Sequence, residues 1–278
     1  MPFFLAALSS ITFGVADFAG GMATRRAPSL TVTTGVYTVG AVGIFFVIPF
    51  VGGSASTTDL VWGALAGFAG SLGLVIYYHA LATTRMAVAA PVAAVVGSLV
   101  PVVFGVVVGE RPAAMAWVGV ALALPAVVLI GTGNRATRAA DTPARAVGLG
   151  LGSGVLFGLF GVFLSRSAEG SGLWPLASAR VSATVMMVVI TIIAGRALIA
   201  TGVAGRLVLL AGVLDLFANI LFLTAVRLEL LSLVAVIMSM YPAATVALAR
   251  IVLDEQIDRI QAFGMALAVA ALTLIVLA

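Results

Sequence analysis

The chain has 278 residues, of which 63% are hydrophobic and only 9% charged, whereas soluble domains run near half apolar and a quarter charged. No soluble core absorbs that much apolar surface, so a water-soluble globular fold is excluded. The 14 basic residues behind the net charge of +4 are all arginine; scattered one to three per connection, they make no basic groove for nucleic acid, and a chain with neither cysteine nor lysine has no thiolate metal site, cysteine nucleophile, Walker A phosphate loop or lysine Schiff base.

The apolar stretches repeatedly reach the ~20 residues that cross a hydrocarbon core of about 30 Å. Helical spans are expected at 3–22, 31–51, 60–82, 87–108, 113–131, 146–165, 173–195, 207–226, 230–250 and 259–278, which predicts an all-α membrane protein with ten transmembrane helices. The start Met1-Pro2-Phe3-Phe4-Leu5 has no positive leader and reads as part of a retained first span. That span holds Asp17, placed either on a cavity or snorkelling to the interface. Span 3 ends in Tyr77, Tyr78 and His79, an interfacial aromatic run in which Tyr78 shares a face with Ser71. Span 4 carries Pro91 and Pro101 as bend candidates. Glu110 follows it, as Glu255 follows span 9, and both read as cap and interface residues.

Gly63 and Gly67 in span 3, and Gly150, Gly154 and Gly158 in span 6, form small-residue ridges that let helix backbones approach. Trp174 opens span 7 as an interfacial anchor. Deeper in that span lies Arg180, and span 8 carries Asp215 with Asn219 four residues on, on the same face. A charge at bilayer depth costs about 2.5–3.5 kcal/mol, so Asp17, Arg180 and Asp215 each need water, a partner or a function. Arg180 and Asp215 are read either as a substrate or proton site or as an ion pair tying spans 7 and 8 together. In span 9, Ser232, Ser239 and Pro242 lie on one face, and a proline bend frees carbonyls that can line a cavity.

The longest connection, Thr132 to Arg145, sits at the midpoint. A shift of 145 places Gly119, Ala121, Leu122, Ala123, Ala126, Leu129 and Ile130 on Gly264, Ala266, Leu267, Ala268, Ala271, Leu274 and Ile275, and Glu110 on Glu255; a shift of 144 places Phe13-Gly14 on Phe157-Gly158. The expected organisation is a first five-helix repeat at 1–131, a linker at 132–145 and a second repeat at 146–278. Five is odd, so the second repeat enters from the opposite side, giving an inverted repeat with a binding site near the midplane between the halves.

Phe13-Gly14, the run from Ala225 through Ser239-Met240-Tyr241-Pro242 to Asp254-Glu255, and Gly264 resemble the drug/metabolite transporter superfamily in its ten-helix EamA-type form. The resemblance covers essentially the whole chain, although Gly97 stands where the second half has Pro242. It implies that helices 1, 3, 4, 6, 8 and 9 surround a central cavity with helices 5 and 10 behind them. It also implies a secondary transporter rather than an enzyme, moving a small metabolite, amino-acid-like solute or drug across the cytoplasmic membrane by alternating access, with no cofactor. The implied partners are that solute, the lipid bilayer and a coupling proton. Small four-helix multidrug relatives couple protons through a helix 1 carboxylate, to which Asp17 is similar. The substrate and transport candidates are thus Asp17, Tyr78, Arg180, Asp215, Asn219, Ser239 and Tyr241.

The rival reading is a membrane enzyme acting on a lipid or diphosphate, with Asp254, Glu255 and Asp258 holding a magnesium diphosphate. It lacks a second acidic cluster at the matching stretch Gly109, Glu110 and Ala113. A serine protease would have His79, the only histidine, as its base and Ser153 as nucleophile, but tight packing explains the glycines around Ser153. A receptor or assembly factor is a third class. Connections after odd spans hold Arg25, Arg26, Arg85, Arg135, Arg138, Arg145, Arg196, Arg206, Arg250 and Arg259, those after even spans only Arg111, Arg166 and Arg227. By the positive-inside rule both termini lie outside, whereas family habit keeps them in the cytoplasm.

Overall fold

A computed structural model describes residues 1–83, 86–131, 143–253 and 259–277. Among them the chain is helical almost throughout, as it must be where lipid offers the backbone no hydrogen-bond partner. The helices are α1 (Pro2–Thr24), α2 (Ser29–Val51), α3 (Thr57–Thr83), α4 (Met86–Val107), α5 (Ala114–Gly131), α6 (Pro143–Ser165), α7 (Trp174–Ile193), α8 (Gly202–Leu228), α9 (Leu231–Met238), α10 (Tyr241–Leu253) and α11 (Arg259–Val276). Six of them (α1, α2, α3, α6, α7 and α8) are apolar over a membrane-spanning length. The expected linker at 132–145 falls largely outside the described residues, as do Asp254, Glu255 and Asp258.

The expected ninth span is not one helix. It breaks at Ser239 and Met240 into α9 and α10, because Pro242, second residue of α10, has no N–H to return to the carbonyl of Met238. A proline in the first turn of a new helix costs nothing there, and the freed Met238 carbonyl accepts a hydrogen bond from the Ser10 hydroxyl of α1 at 3.1 Å. In contrast, α4 stays helical through both Pro91 and Pro101.

The packing is reciprocal between the halves. α1 lies on α8 as α6 lies on α3, α2 meets α8 as α7 meets α3, α6 meets α4 as α1 meets α9 and α10, and α5 pairs with α11. This exchange of partners is the signature of ten transmembrane helices in two inverted five-helix repeats, the ninth made of two pieces. The glycines make it possible. A methyl group on Gly14 would strike Tyr241 and Ala244, and one on Gly158 would strike Val100. The ridge of Gly63 and Gly67 lies against the α7 carbonyls of Pro175 and Ala179, and Gly212, the repeat mate of Gly67, lies against Val36 and Val39 of α2.

One end of the bundle carries the connections after α2, α4, α6 and α8, and there the halves are tied by polar contacts. The Ser54 N–H donates to the Gly170 carbonyl at 3.1 Å, the Ala168 N–H to Asp59 Oδ1 at 2.7 Å, and Trp174 Nε1 to the Gly53 carbonyl at 3.2 Å. Gly53 and Gly172 allow this approach: both have positive φ, and a Cβ on either would collide with the other connection. Trp174, expected as an interfacial anchor, is thus also a strut between the halves.

Candidate functional site

Between two apolar clusters, one centred on Val36, Tyr78 and Met187 and the other on Leu164, Leu176 and Leu223, lies a cavity of about 150 Å³. Side chains from both halves line it, including Phe13 and Asp17 of α1, Tyr37 of α2, Ser98 and Pro101 of α4, Phe157 and Phe160 of α6, Arg180 of α7, Asp215, Asn219 and Phe222 of α8, Ser239 at the helix break and Tyr241 of α10. Among the described residues, neither α5 nor α11 contributes. The walls are mostly apolar and aromatic, with the Phe160 and Phe222 rings stacked at a centroid separation of 6.4 Å.

The charges are arranged unequally. Arg180, 2% exposed, is fixed on three sides: Nη1 lies 2.5 Å from Asp215 Oδ2, Nη2 donates to the Asp215 carbonyl at 3.4 Å, and the guanidinium sits over the Tyr37 ring, 5.3 Å from its centroid. Gly40 of α2 is needed beside it, since a Cβ there would press on Arg180 Cδ and Nη1 at 3.2 Å. Asn219 Nδ2 donates to the Asp215 carbonyl at 2.8 Å and lies 3.4 Å from its Oδ1, while Asn219 Oδ1 and Arg180 Nε find no partner. Asp17, half-buried on the cavity wall, has no hydrogen-bond or ion partner among the described residues.

Six of the seven candidates therefore meet at one cavity: Asp17, Arg180, Asp215, Asn219, Ser239 and Tyr241. Tyr78 does not reach it. Its ring fills the space beside Gly20 of α1, where it is 2% exposed. Among the bend candidates, Pro101 lines the cavity and Pro242 causes the break. Sequence reasoning missed Tyr37, whose position one turn before Gly40 carried no signal without knowledge of what α7 would place against it. It also missed the aromatic wall, because Phe157, Phe160 and Phe222 are indistinguishable in sequence from lipid-facing phenylalanines.

Two inverted helical repeats around a charged cavity between them are the architecture of a membrane carrier. The sequence model of the EamA-like transporter family matches residues 1–132 and 144–277, so the chain belongs to that family and is a multi-pass membrane transporter of the drug/metabolite type. A solved crystal structure shares the fold with a TM-score of 0.75 at 17% identity, over 98% of this chain and 96% of that one. Comparison with curated proteins gave no match.

Proposed function

We propose that the protein is a secondary transporter for a small solute with an apolar body and an amino group, an amino-acid-like metabolite or a drug, moved by alternating access of the two halves. One observation carries the reading. The cavity holds two carboxylates, Asp17 and Asp215, against one guanidinium, and that guanidinium is sealed against Asp215, Tyr37 and Gly40. Whenever Asp17 is ionised the charge left over is negative, and the aromatic walls supply ring faces that attract a cation. The proposed coupling ion is a proton carried by Asp17.

The proposed location is the cytoplasmic membrane with the arginine-rich connections inside and both termini outside. A C-terminal green fluorescent protein fusion that fluoresces in intact cells would reverse that orientation. Transport itself is tested by uptake of labelled benzylamine, phenylalanine and benzoate into liposomes containing only the purified protein, with and without an imposed proton gradient. Saturable, gradient-dependent entry of the two amino-bearing probes is expected; entry of benzoate alone, or of none of the three by folded protein, overturns the proposal.

A further inference from the structure

α9 is a short lever packed mainly on α4 and α1. It is eight residues long, Leu231 to Ile237 are buried, and it is severed from α10 at Ser239 and Met240. One end of it forms cavity wall through Ala235 and Met238. A single side chain from the other half of the protein holds the opposite end: Glu110 Oε1 accepts from the Leu231 N–H at 2.9 Å, and Oε2 accepts from the Ser232 N–H at 3.1 Å and from the Ser232 hydroxyl. These N–H groups open a helix and have no partner within it, so a carboxylate there serves as a cap from outside and meets the positive end of the helix dipole. Gly109, at φ 103°, reverses the chain after α4, and the Glu110 N–H is pinned to the Gly105 carbonyl at 2.8 Å. The carboxylate is thereby aimed at α9 by its own backbone.

Apolar contacts can slide by small steps, whereas three hydrogen bonds on one carboxylate are either made or broken. We infer that α9 is the gate of the cavity toward the end where the α2, α4, α6 and α8 connections meet, hinged at Ser239 and Met240, and that Glu110 is its latch. Glu110 touches no cavity atom and acts through α9, so it is a positioning residue. In rocking of the halves, release of Glu110 removes the polar tie of α9 to the first half and lets α9 slide on α4 and α1, withdrawing Ala235 and Met238 from the cavity wall.

The test uses the absence of cysteine from the chain. A single Ala235→Cys reports the gate, and a single Met187→Cys, at 0% exposure in the other apolar cluster, reports general loosening. Labelling by N-ethylmaleimide is followed in detergent micelles, in the otherwise native chain and with Glu110→Gln, which sets an amide N–H against one of the donors. Loss of a hydrogen bond to a charged group corresponds to about tenfold or more in an opening equilibrium. The labelling rate at 235 is expected to rise by about that factor while the rate at 187 stays unchanged; Ser232→Ala, which removes one contact of the three, gives a smaller rise and carries the test if Glu110→Gln does not fold. No change at 235, or equal rises at 235 and 187, overturns the inference. No solute is involved, so this result and the uptake experiment can fail independently.

Discussion

Removing Arg180 is the most direct probe of the cavity. Arg180→Ala deletes the partner that lies 2.5 Å from Asp215 Oδ2 and leaves a carboxylate that is 17% exposed without a counter-charge among the described residues. Breaking a buried pair from one side costs about 3–5 kcal/mol. Loss of the guanidinium from the Tyr37 ring belongs to the same deletion and is not added again. For a chain of this size the melting temperature should fall by roughly 10 °C, measured as thermal unfolding in detergent micelles. The double variant Arg180→Met with Asp215→Leu removes both charges and should return to within about 2 kcal/mol of the parent, because a well-packed apolar pair can replace a buried ion pair at little cost. Exchanging the two residues, Arg180→Asp with Asp215→Arg, should recover only part of the loss, since an arginine at 215 no longer has Tyr37 and Gly40 shaped around it. If Arg180→Ala melts within about 2 °C of the parent, or the apolar double variant is no more stable than the single one, the reasoning is wrong.

Asp215→Asn in a folded protein is expected to abolish or uncouple benzylamine uptake, and full gradient-dependent uptake would remove Asp215 from the transport site. Asp17→Asn should weaken benzylamine binding by about ten- to hundredfold, the range of a hydrogen bond to a charged group, read by ligand-dependent thermal shift; an unchanged shift would exclude Asp17. Gly67→Ala drives a methyl into the Ala179 carbonyl and the Ser182 hydroxyl and should cost about 1–3 kcal/mol, whereas Gly21→Ala, which meets nothing within 4 Å, should leave melting unchanged. A Ser54→Cys and Gly170→Cys pair, bridged by a short bis-methanethiosulfonate, ties the halves where Ser54 and Gly170 already share a hydrogen bond. Cross-linking should stop uptake reversibly, and full uptake by cross-linked protein would refute movement between the halves at that end.

The bundle was legible in the sequence because lipid imposes it: apolar length fixes the spans, and the offset of 144 that pairs Phe13-Gly14 with Phe157-Gly158 reappears in space as matching glycine contacts, Gly14 on Tyr241 and Ala244 and Gly158 on Gly97 and Val100. The intramembrane charges were legible for the same reason, since Arg180 needs an acid and Asp215 is the acid deep in the second half. What stayed hidden depends on partners far apart in the chain. Tyr78 looked like a cavity residue from its face on α3, but only the proximity of Gly20 shows that its ring is packing. Glu110 reads in the sequence as a cap and interface residue at the end of its own span, yet the helix it caps begins 121 residues later, a pairing no local pattern encodes.

The repeat also sets off what is not repeated. A shift of 145 puts Gly35 and Gly70 where the second half has Arg180 and Asp215, and a shift of 144 puts Gly161 opposite Asp17. Two close-packing positions keep their glycine in both halves, Gly67 with Gly212 and Gly14 with Gly158, while the three charged positions have no charged counterpart. In the proposed mechanism symmetric packing serves a motion in which the two halves exchange roles, and such packing tolerates little substitution because backbones meet there. A solute with one amino group has no such symmetry, so a single negative excess on one side of the cavity suffices to orient it. Installing a second carboxylate without an arginine partner, by Gly161→Asp, would set up a competing cation site facing Phe222. Benzylamine should then bind at least as selectively over the neutral benzyl alcohol, and adding Asp17→Asn to Gly161→Asp should weaken its binding less than Asp17→Asn does alone, because part of that binding would no longer depend on Asp17. An equal loss from Asp17→Asn in the parent and in a folded Gly161→Asp protein would show that a carboxylate on the other side of the cavity does not serve the solute.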